Sequence, residues 1–507
     1  MIVLGARSAK IAARQTLGEN MATEAQHDIQ IYVSDVHGEY EQLKHVFADA
    51  RAFIENKTGA AYNVEQLPIH FLGDIYDRGP LPDAVMDDFL TCPNLDIQWG
   101  NHDIVWMGAS LGSRACLANV VRICARYGNL SILEDTYGID LAPLRNFANT
   151  AYAKDPCIAF GLKGMQGLNE EQIAETERIQ KAMAFIQFKI EAQTIAENPS
   201  FGLGDRNLLH HINVCEGTVE IEGATYELTD TVFPTIDFDN PYDLTTEEAS
   251  IMDQLEHAFT SCEKLQAHMR LFLDRGSLYK IVGNNLLFHA CVPLNPDGSL
   301  KEVELFGKKL KGKALFDAVD AYVRAAYTAT DESGKKQGLD MLWYLWLGSG
   351  SPLFAKSKMA TFELYLCSDK GIRKEDKNSF YKLLEDKDAI AGIFEDFGMN
   401  FDESRIVCGH TPVKVKDGES PIKCAGHIAI IDGGMSRAYQ KTTGIAGISI
   451  VQIDSESWLL EHKPCAAGQK IEEGECGSGN SGECNDAVGG ATTEASAIFP
   501  LNFSGEN

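Results

Sequence analysis

The chain has 507 residues, 44% of them hydrophobic, which is enough to bury a large core that carries insertions. Its formal charge of −28 argues against nucleic acid and against an anionic membrane surface as partners, because both would repel it. The sequence contains no apolar run long enough for a transmembrane helix, so we predict no membrane span.

The amino-terminal residues 1–27 are predicted to be a flexible extension. They carry Arg7, Lys10 and Arg14 and no acidic residue before Glu19, a composition that organelle transit peptides share. We favour a disordered extension, with Met21 as a candidate start, over organelle targeting. The 13 cysteines include no CxxC pair and mostly lie in apolar surroundings. This pattern is typical of reduced core cysteines in a cytoplasmic protein.

A βαβαβ unit is predicted for residues 28–103. In chain order its elements are a strand at 29–33, a helix at 39–50, a strand at 69–72, a helix through 85–90 and a strand at 97–99. Such a unit places three parallel strands side by side in one sheet. Polar residues that follow these strands are therefore expected to meet at one edge of the sheet.

The residues that follow the three strands are typical metal ligands. Asp35 and His37 follow the first strand, Asp74 follows the second, and Asn101 follows the third. Carboxylate, imidazole and amide groups suit two hard or borderline divalent cations, and Asp74 is the natural bridge between the two. Each residue alone would also fit a turn or a helix cap. Three such residues at three successive strand ends favour a metal site.

The rest of the chain is predicted in three parts. Residues 104–275 form a large helical insertion, with helices at 170–197 and from Thr245 to Gly276, the second opened by a capping box of Thr245 and Glu248. Residues 276–464 form the second half of the main domain. Its predicted elements are strands at 286–288, 405–408, 427–431 and 448–453 and helices at 315–328 and 378–397. Residues 465–507 are rich in Gly, Ser and Glu and are predicted to be a flexible tail.

Two later histidines are candidates for the second cation. His289 and His410 each follow a short apolar run, as the earlier ligands do. A lone histidine after a strand is often a hydrogen-bonded structural residue, and His289 taken alone fits that alternative. The second cation needs further ligands, however, and imidazoles commonly supply them.

Four neighbouring residues are candidates for catalysis. Arg78 suits bidentate binding of a phosphate group, although a surface salt bridge with Asp77 is the simpler alternative. His102 directly follows a ligand and is placed to act as general acid, with Asp103 or Asp77 holding its tautomer. Together with two cations that activate a hydroxide, this set indicates metal-assisted hydrolysis of a phosphate ester.

The three amino-terminal motifs resemble those of the calcineurin-like metallophosphoesterase superfamily. Further segments are similar to the class III (Firmicutes-type) fructose-1,6-bisphosphatases, and the likeness covers about residues 28–464. The segments that carry it are 35–37, 73–79, 100–103, 122–129, 286–294, 359–363, 408–414 and 431–447. Two positions depart from the family pattern, Leu364 where it has arginine and Arg373 where it often has histidine, which puts substrate contacts or regulation there in doubt.

The resemblance implies a fold, a reaction and a metal. The implied fold is α/β, a calcineurin-like metallophosphoesterase β-sandwich flanked by helices, with a large helical insertion. The implied reaction is hydrolysis of fructose 1,6-bisphosphate to fructose 6-phosphate, a step of gluconeogenesis, with two divalent ions, usually Mn²⁺. In the superfamily, the positions of His289 and His410 complete the second metal site.

A sugar bisphosphate also requires cationic contacts for its second phosphate on this acidic chain. Lys414, Arg437 and Lys441 are the predicted contacts because they lie in local basic segments near the late motifs. Two alternatives stay open: a phosphatase of the same superfamily that acts on phosphoprotein or dinucleoside tetraphosphate, and a non-catalytic metal-binding scaffold. A homo-oligomer is compatible with the sequence.

Overall fold

The computed structural model describes residues 27–164, 167–465 and 497–501. The predicted extension therefore lies almost wholly outside the described residues, and so does most of the predicted tail, including Cys476 and Cys484. Within the described ranges, each helix falls short of the length or the apolar character that crossing a bilayer requires. The cysteines in these ranges are all free thiols.

Seventeen strands are present in the described residues. In chain order they are β1 (Ile29–Val33), β2 (Ile69–Phe71), β3 (Leu95–Gln98), β4 (Ile212–Asn213), β5 (Thr218–Ile221), β6 (Ala224–Glu227), β7 (Gly276–Ser277), β8 (Tyr279–Val282), β9 (Asn285–Phe288), β10 (Val303–Leu305), β11 (Lys308–Leu310), β12 (Arg405–Cys408), β13 (Ile422–Lys423), β14 (Ile428–Ile430), β15 (Ile448–Ile453), β16 (Glu456–Glu461) and β17 (Ala497–Pro500).

Thirteen α-helices accompany them in the same ranges. They are α1 (Tyr40–Thr58), α2 (Pro82–Thr91), α3 (Asn101–Ser110), α4 (Arg114–Arg126), α5 (Ala142–Ala151), α6 (Glu170–Glu197), α7 (Thr246–Ser261), α8 (Glu263–Arg275), α9 (Gly312–Thr328), α10 (Glu332–Leu347), α11 (Thr361–Leu366), α12 (Lys387–Asp396) and α13 (Arg437–Thr443).

The larger sheet has seven strands in the order β17-β16-β15-β1-β2-β3-β7. Strands β1, β2, β3 and β7 are parallel, and Ile31 lies opposite Ile69, which lies opposite Leu95. These apolar residues are fully buried, as expected of a parallel strand covered on both faces. The predicted βαβαβ unit is confirmed. Its carboxyl strand ends lie at one edge of the sheet.

The second sheet has five strands in the order β13-β14-β12-β9-β8. Its central strands β9, β12 and β14 are parallel to one another. One continuous hydrophobic core includes side chains from both sheets, and the Asn285 side-chain amide on β9 donates a hydrogen bond to the Tyr32 hydroxyl on β1 at 3.2 Å. The molecule is thus a mixed α/β protein with two sheets that share a core.

The structure departs from the predicted elements in several places. The helix predicted from Thr245 to Gly276 is two helices, because Cys262 adopts an extended backbone that ends α7 and begins α8. The capping box of Thr245 and Glu248 is confirmed. The region 104–275 contains, besides its helices, a small antiparallel sheet of β4, β5 and β6. Periodicity alone could not show the break, since apolar residues continue at helical spacing through it.

Two further regions also differ from the expectation. The helix predicted at 378–397 is a short 3-10 turn at Ser379–Lys382 followed by α12. In the predicted tail, β17 pairs with β16, with Phe499 opposite Leu459. The prediction of a flexible tail is therefore wrong for residues 497–501, because the backbone of β17 pairs with β16.

Candidate metal centre and active site

The predicted metal ligands lie at the carboxyl ends of parallel strands from both sheets. Asp35 and His37 follow β1, Asp74 follows β2, Asn101 follows β3, His289 follows β9, and His410 follows β12. Each sheet thus presents its strand ends to the same place. All six side chains are buried or nearly so. The structure brings together the whole predicted ligand set.

The backbone at these strand ends is unusual. Asp35, His37, Asp74 and His410 have φ angles of 52°, 47°, 57° and 69°, in the left-handed region that residues with a Cβ rarely adopt. Such a conformation costs about 1–3 kcal/mol per residue and tends to occur at functional sites. Here it turns the chain across the sheet edge as soon as each strand ends, which directs the polar side chains inward.

Two glycines allow the strand ends to approach each other. A Cβ atom at Gly409 would lie 2.2 Å from an Asp35 carboxylate oxygen, and one at Gly100 would lie 2.2 Å from the backbone nitrogen of Asp74. No side chain fits at either position. The glycines that precede His410 and Asn101 are therefore required by packing against the ligands from the neighbouring strands.

The first group of donor atoms comes from Asp35, His37 and Asp74, whose ligand atoms lie within 4.8 Å of one another. The Nδ1 atom of His37 lies 3.2 Å from the Tyr76 carbonyl oxygen. Because a carbonyl can only accept, Nδ1 carries the proton and Nε2 presents its lone pair to the group. This tautomer is the one that a metal ligand needs.

The second group comes from Asp74, His289 and His410, also within 4.8 Å of one another. His289 donates from Nδ1 to the Leu72 carbonyl at 2.7 Å, which leaves its Nε2 for a metal. The Asn101 side-chain oxygen lies 2.9 Å from His410 Nδ1 and 3.2 Å from His289 Nε2. Asp74 belongs to both groups, as a bridging carboxylate would.

Burial and nearby charges shift the pKa values in the two groups in different directions. Burial lowers the pKa of His37 and of His410 well below the usual range, so both rings are neutral. Burial raises the pKa of Asp74, but the nearby His289 and His102 outweigh it and hold the carboxyl well below its ordinary value. The Asp74 charge likewise outweighs burial at His289 and raises its pKa to about 10. The donor set therefore fits divalent cations, and a cation held by the second group would replace the proton on His289.

Asp103 holds the backbone of the Asp74 loop. One of its oxygens accepts from the backbone N–H of Asp74 at 2.7 Å, and the other accepts from Ile75 at 2.8 Å and Tyr76 at 3.2 Å. The first oxygen also accepts from Gly100 N–H at 3.2 Å, and the residue is fully buried. Of the two predicted partners for His102, Asp103 is engaged by backbone amides instead.

We predict that Asp103→Asn weakens both the fold and metal binding. The amide nitrogen of asparagine would face N–H donors that now meet a carboxylate oxygen, which should cost about 1–3 kcal/mol of unfolding free energy. Loosening of the Asp74 loop should reduce Mn²⁺ affinity on the order of 10- to 100-fold. Denaturant unfolding and a metal titration measure the two effects. Unchanged stability combined with a loss of activity confined to poor leaving groups would instead indicate a role in proton transfer.

Asp77 orients His102. The Nδ1 atom of His102 lies 2.6 Å from one Asp77 oxygen, and the Trp106 indole N–H donates to the other at 3.0 Å. A carboxylate fixed at both oxygens holds the imidazole with its proton on Nδ1 and directs its Nε2 atom away from Asp77. The His102 ring also packs edge-on against Trp346 of α10, with ring centroids 5.1 Å apart.

Arg78 lies between His37 and His102. Its two terminal nitrogens donate to His37 Nε2 at 2.9 Å and to His102 Nε2 at 3.3 Å. Its guanidinium also lies over the Tyr439 ring, 4.7 Å from the centroid. This places a permanent positive charge and a candidate proton donor directly beside the first donor group, where the phosphate of an ester would lie.

Comparison with known proteins gives a consistent result. The sequence profile described as Firmicute fructose-1,6-bisphosphatase matches residues 61–481. The chain belongs to this family. Among curated relatives, proteins named fructose-1,6-bisphosphatase class 3 are 43% identical over 462 residues in Clostridioides difficile (strain 630) and 47% identical over 409 residues in Clostridium botulinum (strain Hall).

These alignments cover 89% and 80% of this chain but 69% and 61% of the two relatives, so the chain spans about two thirds of their length. A solved structure titled as a cold-active protein tyrosine phosphatase is similar at a TM-score of 0.36 and 11% identity, over 86% of this chain and 77% of that one. A likeness this weak supports no inference about the fold.

The residues predicted to contact a second phosphate do not lie together as the predicted metal ligands do. Lys414 and Lys441 are exposed. Arg437 is half exposed and lies 3.4 Å from Glu39. Arg437 and Lys441 line a groove of about 420 Å³ with Glu39, whereas Lys414 lies in another segment, four residues after His410. The three residues therefore do not form one cluster.

Sequence reasoning missed several residues at the site. Asp432 follows β14, is buried, and raises the pKa of Asp35 after the larger effect of burial. Burial also raises the pKa of Asp432 itself to about 6. Its position after a short apolar run is the signal that identified the other ligands. Trp346 and Tyr439 gave no such signal, because a single aromatic residue at helical spacing predicts only a buried core position.

Proposed function

We propose that this chain hydrolyses fructose 1,6-bisphosphate to fructose 6-phosphate and inorganic phosphate. The observation that carries the proposal is the intact six-residue ligand set at two sheet edges, in a chain of the Firmicute fructose-1,6-bisphosphatase family. The relatives' printed name supports the choice of substrate. A gluconeogenic role is part of the proposal.

The proposed metal centre uses the two donor groups described above. Asp35, His37 and Asp74 would hold one divalent cation, and Asp74, Asn101, His289 and His410 would hold the other. When bound, the pair supplies charge neutralisation and an activated water for attack on phosphorus. Mn²⁺ is the proposed metal. Mixed oxygen and nitrogen donors are compatible with it.

The chain's own residues complete the reaction. Arg78 binds the phosphate oxygens and stabilises the additional negative charge of the transition state. His102 delivers a proton from Nε2 to the departing sugar oxygen, while Asp77 stabilises the charged imidazole through Nδ1. The buried ring of Trp106 fixes Asp77 and so keeps His102 in this orientation.

We further propose that the two sheets and the insertion are arranged as the resemblance to the calcineurin-like metallophosphoesterases implies. The two sheets correspond to a calcineurin-like β-sandwich, formed by residues 28–103 and 276–464, and residues 104–275 are an insertion between the two halves. The shared core and the joint position of the strand ends support this arrangement. A cytoplasmic location and a homo-oligomer stay predictions.

A panel of phosphate esters tests the proposed activity. Purified protein is treated with chelator, resupplied with Mn²⁺, and assayed for phosphate release from fructose 1,6-bisphosphate, a phosphopeptide and dinucleoside tetraphosphate. We expect metal-dependent release that is fastest with fructose 1,6-bisphosphate. Faster release from the phosphopeptide or the nucleotide would favour the related phosphatases, and no release from any ester would favour a scaffold.

A further inference from the structure

Three lysines from separate segments converge beside the part of the metal centre that His289 and His410 form. Lys356 and Lys377 face each other across an isolated antiparallel bridge. Lys414 lies four residues after His410. On a chain with a net charge of −28, a local group of three cations requires an explanation.

Tyr381 connects this lysine cluster to the segment that carries His289. The Tyr381 hydroxyl donates to the backbone carbonyl of Ala290, the residue after His289, at 2.9 Å. The Lys377 ammonium lies over the Tyr381 ring, 5.3 Å from its centroid. The lysines therefore border the centre.

The positive charge of the cluster is only partly neutralised. Lys356 pairs with Glu375 at 2.7 Å. In the part of the chain that the structure describes, the ammonium groups of Lys377 and Lys414 have no carboxylate within ion-pair distance. The Glu419 carboxylate accepts a hydrogen bond from the backbone N–H of Lys414 at 3.0 Å. Partial burial, with the charges of Lys356 and Lys414, lowers the pKa of Lys377 in spite of Glu419 and Asp432.

We propose that Lys356, Lys377 and Lys414 bind the phosphate group of the substrate that is not cleaved. The inference rests on the proposed function, since a sugar bisphosphate held by one phosphate at the metal centre extends its other phosphate away from it. Lysines that repel one another in the free protein gain free energy when a dianion lies between them. The site thus favours a bisphosphate over a monophosphate.

The groove of Glu39, Arg437 and Lys441 is the competing location. Its arginine is already paired with Glu39, and that carboxylate would repel a phosphate. Lys377 has no such acidic partner among the described residues. Charge complementarity therefore favours the lysine cluster.

Comparison of two substrates tests the inference. Lys377→Met should lower kcat/KM for fructose 1,6-bisphosphate on the order of 10- to 100-fold, mainly through KM, because a charge-assisted contact is lost. The same variant should hydrolyse p-nitrophenyl phosphate at the wild-type rate, since that ester has no second phosphate. Lys377→Arg should restore most of the loss. Lys374→Met is the matched control, because Lys374 is exposed and pairs with Asp376.

Three outcomes would overturn the lysine site. Unchanged kinetics of Lys377→Met on fructose 1,6-bisphosphate would do so, and so would an equal loss on both substrates. A selective loss in Lys441→Met, with Lys377→Met unaffected, would place the second phosphate in the groove. These results are distinct from failure of the proposed function, in which the wild-type protein itself would not hydrolyse fructose 1,6-bisphosphate.

Discussion

Asp74→Asn is expected to reduce kcat for phosphate release by about 10³-fold or more, the largest effect of any single change in this chain. Asp74 is the one residue shared by both donor groups, so the substitution removes a negative charge from each. The variant should fold, because the asparagine oxygen can still accept from the His102 backbone N–H, which now donates to Asp74 at 3.0 Å. Phosphate release and Mn²⁺ binding measure the change.

The thermal stability of this variant provides a second readout. Mn²⁺ at a hundredfold excess over its Kd should raise the unfolding free energy of the wild-type protein by about 2.7 kcal/mol, and so raise its Tm. The Tm of the variant should rise far less. Without metal, the variant should be less stable at neutral pH, since the substitution removes a carboxylate charge that His289 and His102 stabilise in the folded protein. Asp274→Asn, at an exposed position, is the control. Phosphate release that survives Asp74→Asn would contradict the shared-ligand arrangement.

The second large effect is expected for His102→Asn. The asparagine amide can still donate to Asp77, but it cannot deliver a proton. We expect kcat for fructose 1,6-bisphosphate to fall on the order of 10²- to 10⁴-fold, because its leaving group is a strongly basic alkoxide. For p-nitrophenyl phosphate, whose leaving group needs no proton, the loss should be less than about tenfold. Steady-state kinetics with both esters measure the difference.

Asp77→Asn separates orientation from proton transfer. It should produce a smaller loss with the same dependence on leaving group, because the His102 ring stays in place and loses the carboxylate that stabilises its charged form. His257→Asn, on the exposed side of α7, should behave as wild type. Equal losses on both esters in His102→Asn would show that His102 acts on binding or structure and is no general acid.

The fold was predictable where the local sequence pattern agrees with the tertiary structure. Strand β1 and the parallel unit follow from short, mostly apolar runs that end in polar residues, and this pattern also identified Asp35, Asp74 and Asn101. The helix from Glu170 to Glu197 was predictable from the spacing of its apolar residues. The break at Cys262 was not, because its extended backbone depends on packing and no glycine or proline marks it.

The site was predictable as a set of ligands but not as a three-dimensional network. From sequence spacing alone, either Asp77 or Asp103 could be the partner of His102. The hydrogen bonds in the structure show that Asp77 contacts the imidazole and Asp103 contacts the backbone. The pairing of Lys356 with Lys377 arises from a bridge between two loops, for which a sequence carries no periodic signal. Long-range proximity of this kind is set by tertiary packing.

Anomalous diffraction from crystals of the Mn²⁺-loaded protein tests the central claim most directly. We predict two manganese peaks at the joined strand ends, one bound by Asp35 and His37, the other by Asn101, His289 and His410, with Asp74 contacting both. A single peak, or peaks that leave His289 and His410 without a metal contact, would contradict the two-cation centre proposed here.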